Sequence, residues 1–271
     1  MAATASTPTR TSPPDSSGVG LRRRIAAIHL AGERGPLRFL ALELAVWISL
    51  YGLYLAVRGL SIASGDDALG NARDIVDVER SLGVFHEARL QDALASFGDV
   101  LSVYYVLGFA PVLVGVLAWL ALRHRDGYRE LRSLLLISIA LAVIVHVALP
   151  VAPPRLVPEL GIVDTVGLDR DGSSFAGVPY NPYAAMPSMH VGWSLLVGLF
   201  ALRASRSFMA RAAFAAHPTV MAVAVTATGN HYFLDSVAGV LIALAALGLW
   251  RFAPRAGSRL ATGPQAACAE C

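Results

Sequence analysis

Apolar residues gather along this chain in long blocks, separated by shorter stretches where the charges collect. A helix needs roughly 20 apolar residues to cross the hydrocarbon core of a bilayer. Six blocks come near that length: residues 38–58, 100–122, 133–151, 188–203, 213–229 and 233–251. The fourth and fifth are short, and Gly192 and Gly198 interrupt the fourth. The arginines between them, Arg203, Arg206 and Arg211, read as an interfacial turn that keeps the two apart. A different pattern governs residues 70–97. There Ile75, Val78, Leu82, Phe85, Leu90 and Leu94 recur at helical spacing among Asp74, Asp77, Glu79, Arg80, Glu87 and Arg89. That predicts an amphipathic helix lying on the membrane surface rather than crossing it. Glu79 and Glu87 could be read as paired catalytic carboxylates, but the charges around them favour a solvated helix face.

The expected fold is therefore all-α: a polytopic membrane helical bundle of about six transmembrane helices, spanning residues 37–252, with an amphipathic extracytoplasmic helix. Composition agrees with the pattern. The chain is 55% hydrophobic and 15% charged, where a soluble domain would carry about a quarter charged residues, and its mean hydropathy is +0.57. Residues 1–36 are rich in Thr, Ser, Pro, Ala and Gly and carry arginines, which predicts a disordered cytoplasmic segment. No apolar stretch precedes Arg22, Arg23 and Arg24, so no cleaved leader is expected. Residues 253–271 read as a disordered cytoplasmic tail; Cys268 and Cys271 within it have neither the partner histidine nor the second pair that a metal site would need.

Charge placement sets the orientation. Every one of the 22 basic residues is arginine. They concentrate at 22–38, 123–132, 203–211 and 251–259, on alternate sides of successive blocks. The positive-inside rule then puts both termini in the cytoplasm. The connections 59–99, 152–187 and 229–232 face outward across the plasma membrane.

Three short segments fall on that outer side: Pro153-Pro154-Arg155, Pro187-Ser188-Met189-His190, and Gly229-Asn230-His231-Tyr232-Phe233-Leu234-Asp235. His231 and Asp235, four apart on a helix, share one face. A carboxylate there can accept one imidazole proton, fix the tautomer and leave the other nitrogen free to attack. His190 lies at the same depth, at the start of another span. Two helix N-termini converging on one place favour an anion such as phosphate. Arg155, aimed by two rigid prolines, offers a planar fork suited to phosphate oxygens. Ser188 and Asn230 are the polar neighbours expected to line the same phosphate site. Two histidines and one acid read as a nucleophile and an acid, not as an open zinc site with three protein ligands; neither metal nor other cofactor is expected.

The Pro-Ser-Met-His and His-Tyr-Phe-Leu-Asp segments resemble the second and third motifs of the type-2 phosphatidic acid phosphatase superfamily, over roughly residues 70–250. The resemblance implies a six-span bundle and a metal-free phosphohistidine mechanism, with His231 as nucleophile, Asp235 as its orienting partner and His190 as general acid. Two features depart from it. The family's first motif begins with lysine, which this chain lacks, and its third carries Ser-Arg where Ala224-Val225 stand here. That pattern is more similar to the branch of inositol phosphorylceramide and sphingomyelin synthases, which pass a phospho-headgroup to a lipid alcohol. The soluble vanadium haloperoxidases share the ancestral pocket, but membrane spans and missing cations argue against their chemistry. The leading expectation is a lipid phosphatase acting on a lipid phosphate or diphosphate. The alternative is a headgroup transferase with a lipid alcohol acceptor, and the third is a non-catalytic scaffold or transporter. The third is weakened by the lack of internal repeats and by a polar cluster at one surface instead of mid-membrane. Nothing in the chain points to nucleic acid.

Overall fold

The computed structural model describes residues 38, 41–49, 52, 65–167, 174–175, 178–179 and 182–252. The chain divides into two units, residues 1–59 and 60–271. In the first, residues 41–49 are helical, within the block expected as the first span. The rest of that span, the segment 1–36 and the tail with its two cysteines lie outside the described residues.

The second unit is a membrane helical bundle. Helices α1 (Gly65–Ser81) and α2 (Glu87–Ala93) come first, followed by α3 (Gly98–Leu107), α4 (Ala110–Arg123), α5 (Arg125–Ala148), α6 (Met189–Ala204), α7 (Phe208–Ala227) and α8 (Phe233–Phe252). The stretches Ala95–Arg123, Arg125–Ala148, Phe208–Ala227 and Phe233–Phe252 are long and apolar enough to cross a membrane, and α6 is a shorter apolar helix. A small antiparallel pair, β1 (Ser174–Phe175) and β2 (Val178–Pro179), sits in the long connection before α6 and was not foreseen. Exposed Val103, Val114, Leu122, Ile144, Leu241, Leu244 and Leu249 give the outer helices the apolar surface that lipid requires.

Two expected continuous helices are broken, each for a local reason. The amphipathic stretch 70–97 stops at Ser81 because Gly83 turns left-handed at φ 70°, where only glycine is unstrained. Its N–H donates to Arg80 and that of Val84 to Glu79, closing the helix end. The span 100–122 is split at Gly108–Phe109, because Pro111 in the first turn of α4 has no N–H to return to α3.

α6 is the centre of the bundle, buried at Val191, Gly192, Ser194, Leu196, Val197, Gly198, Phe200 and Ala201. Its glycines are contact points. A Cβ on Gly239 of α8 would stand 2.1 Å from the carbonyl oxygen of Ser188, and one on Gly192 would stand 2.6 Å from that of Gly239. Only hydrogen fits, so the two backbones meet directly, the close approach that small residues permit between membrane helices. On the opposite side Gly198 approaches the carbonyl of Phe214, which Pro218 in α7 leaves without its helical donor. These contacts bring the N-terminal ends of α6 and α8 together.

Candidate active site

The Gly192–Gly239 crossing joins the two histidine segments. At the joint the N–H of Ser188 donates to the carbonyl of Asp235 at 2.9 Å. His190, in the first turn of α6, lies with its ring centroid 5.6 Å from that of His231. Its faces are held by aromatic rings, Tyr105 at 4.6 Å and Phe109 at 4.2 Å. The break between α3 and α4 at Gly108–Phe109 is what delivers these two side chains.

His231 belongs to the turn between α7 and α8. Gly229 turns it left-handed at φ 74°; a side chain there would also run into the Val163 carbonyl and Ile162. Asn230 and His231 both donate their N–H to the Val225 carbonyl. The His231 Nδ1 faces two acceptors, the Ala185 carbonyl at 2.8 Å and the Asp235 carboxylate at 3.3 Å. Both accept only, so Nδ1 carries the proton and Nε2 keeps its lone pair. The expected Asp235 contact is present, but the backbone carbonyl is the nearer partner. Asp235 divides its effort: the same Oδ2 accepts from the Tyr232 N–H at 2.8 Å, a third-residue acid reaching back to the helix start as in a capping box.

Arg155 also meets this turn. Its N–H donates to the Gly229 carbonyl at 3.0 Å, its Nη1 to Asn230 Oδ1 at 2.5 Å, and its Nε lies 3.8 Å from Asp164. Asn230 is thus committed at both ends of its amide, to Arg155 and to Thr228. It was expected to line the phosphate site; in this geometry its amide oxygen holds the Arg155 guanidinium. Ser188 is fully buried, and its Oγ has no hydrogen-bond partner among the described residues. A group missing from the sequence expectations is His146, in the last turn of α5, which hydrogen-bonds to the Pro187 backbone. Its place in the last turn of an apolar span, close in sequence to Pro153-Pro154-Arg155, was the signal.

Two further expectations are corrected. Glu79 and Glu87 are not on a solvated face: both are buried. Glu79 accepts from the Leu234 N–H at 2.7 Å and Glu87 from the Phe233 N–H at 2.9 Å. A buried backbone N–H demands an acceptor, and these acids supply it. It follows that α8 does not offer its first N–H groups to an anion, since the oxygens of these two acids already occupy them. Of the two helices, α6 has no side-chain cap and leaves its N-terminal N–H groups open.

Burial, and next the hydrogen bond with Glu87, push the Glu79 carboxyl up to about 9, with the Leu234 N–H opposing and Asp235 adding to the rise. The folded protein then holds a proton at neutral pH that an unfolded carboxyl, near 4.5, has released. The stability this group contributes is fully present below pH 4.5 and lost as pH rises toward 9. Glu79→Gln cannot ionise, so its melting temperature should depend less steeply on pH across that window than that of the wild type. Equal slopes would show that the carboxyl ionises normally.

A family profile described as the PAP2 superfamily matches residues 73–249, well over half of the chain. Among solved structures, LpxE of Aquifex aeolicus aligns with 16% identity and a TM-score of 0.41, over 56% of this chain and 83% of that one. That likeness is too distant to carry an argument. No curated protein matches the chain in sequence.

Proposed function

The chain belongs to the PAP2 superfamily and is a membrane-embedded enzyme of the lipid phosphatase type, and from that premise we propose that it cleaves a lipid phosphoester or diphosphate through a phosphohistidine on His231. One observation carries this reading: the Ala185 carbonyl and Asp235 together hold the proton on Nδ1 of His231, with His190 only 5.6 Å away. Nε2 attacks phosphorus in line, and the bond to the leaving oxygen breaks as His190 protonates it. Arg155 and the first N–H groups of α6 balance the charge on the equatorial oxygens. Asp235 stabilises the imidazolium that forms on His231. In the second half, His190 takes a proton from water, whose oxygen attacks phosphorus and releases inorganic phosphate with the restored imidazole. Every role in this mechanism rests on a side chain or backbone group of this chain, so activity should survive EDTA; abolition by the chelator with restoration by one divalent ion would sink it.

Headgroup transfer is favoured by a second observation. Ala224 and Val225 are fully buried in α7, so no cation stands where the family's third motif carries Ser-Arg. A lipid alcohol in place of water would then give a new phospholipid instead of phosphate. The purified protein, offered a panel of lipid phosphates and diphosphates and phosphoinositides with and without lipid alcohols, decides between them. Free phosphate alone marks the phosphatase, a new lipid product marks the transferase, and neither product from any substrate would sink both.

Arg155→Lys keeps the charge but loses the planar fork. Turnover should fall by about 10- to 1000-fold, the scale of one lost transition-state donor. A variant with wild-type turnover would make Arg155 a headgroup anchor only.

The site is assigned to the outer face of the plasma membrane, with both termini inside. With Cys268 and Cys271 replaced by serine, Val163→Cys should react with an impermeant thiol reagent on intact cells and Arg206→Cys should not. The reverse pattern would invert the orientation.

A further inference from the structure

The two acids that cap α8 reach it from far away in sequence. Glu79 lies on α1 and Glu87 on α2, and they bond the N–H groups of Leu234 and Phe233, 155 and 146 residues later. A helix end facing water needs no such help, since water or a local Ser, Thr or Asp would serve. Here two carboxyls are buried for the task, which costs desolvation, and they act on consecutive N–H groups. Those groups belong to the two residues between Tyr232 and Asp235, inside the His231-to-Asp235 turn.

α1 is itself fastened to the other side of the site. Ala152 donates its N–H to the Ala68 carbonyl at 3.0 Å, and the Asn71 amide donates to the Pro150 carbonyl at 2.8 Å. Arg155 follows three residues after Ala152. One helix therefore sets the position of the arginine loop and of the histidine turn together. The capping has an electrostatic effect as well. An uncapped helix N-terminus carries partial positive charge, which would draw electron density from the imidazole beside it. The acceptor oxygens placed there take up the N–H groups from which that charge arises, which a protonated acid also does.

We propose that Glu79 and Glu87 are positioning residues of the active site, which act through the Leu234 and Phe233 N–H groups to hold His231 in register for attack. The proposal rests on His231 being the nucleophile. Neither acid touches the reacting atoms.

The test compares Glu79→Leu and Glu87→Leu with Glu79→Gln and Glu87→Gln, and adds Glu79→Asp, which keeps the acid but withdraws the acceptor by one methylene. Turnover of a lipid phosphate, KM, melting temperature and trapped phosphoenzyme are measured on detergent-purified full-length protein. The leucine variants should lose about 10- to 100-fold in kcat, the scale of a small misplacement of a reacting group, with KM within about twofold of wild type. Glutamine, which still accepts, should restore most of the loss, and Glu79→Asp should fall between them. If the leucine variants do not fold, the contrast between Glu79→Gln and Glu79→Asp decides the question. Lower melting temperatures with wild-type kcat in the leucine or aspartate variants would overturn the proposal, and so would glutamine variants as impaired as leucine. Failure of the underlying reading looks different: wild-type enzyme that turns over lipid phosphate but never traps phosphate on His231.

Discussion

His231→Ala is expected to abolish turnover and the trapped phosphoenzyme together, a loss of roughly 10⁴-fold or more, as when a nucleophile is removed from a catalytic set. The imidazole does two things at once. Its Nδ1 is tied to Ala185 and Asp235, and its Nε2 supplies the electron pair. Alanine removes the attacking atom of the proposed mechanism. The measurement is acid-labile phosphate on the protein after rapid quenching, scored alongside product. Phosphate recovered on the His231→Ala protein but absent from His190→Ala would show that the two histidines have exchanged roles.

His190→Ala should behave differently, because what it removes is a proton donor and not a nucleophile. A natural lipid ester departs as a poor alkoxide, so its cleavage should slow by about 10²- to 10⁴-fold, the contribution typical of general acid catalysis. A nitrophenyl phosphoester needs little protonation and should be largely spared. The imidazole also packs on Tyr105 and Phe109, so the melting temperature of the variant, measured alongside, separates lost chemistry from lost packing. Equal losses on both substrates would contradict the role of acid.

The spans that became α5, α6, α7 and α8 were legible in the sequence within a few residues at most ends, because apolar length is a property of the chain itself. α5 and α7 depart most at their starts: α5 begins at Arg125 instead of near 133 and α7 at Phe208 instead of near 213, since arginine-bearing turns can extend a helix beyond the apolar part into the interface. The break at Gly108–Phe109 was readable in principle from Pro111, a residue favoured where helices start. The spacing of His231 and Asp235 was also readable, as was the position of His190. What was not readable involves backbone partners. The nearest acceptor of His231 is a carbonyl 46 residues away, and a carbonyl has no letter in the sequence. Glu79 and Glu87 were misjudged for the same reason: their identity suggests water, while their partners are N–H groups of a distant helix. Asn230 looked like a phosphate ligand until the three-dimensional turn showed that both ends of its amide were already engaged.

The joint between Ser188 and Asp235, together with the Gly192–Gly239 contact, has a consequence for biosynthesis. Residues 65–227 can emerge from the ribosome before residues 229–239 exist, so the proposed site is complete only once that segment has docked against α6. His231 arrives with that last segment, and so do the groups that Glu79 and Glu87 grip. On the proposed mechanism the nascent chain therefore lacks its nucleophile until that segment seats.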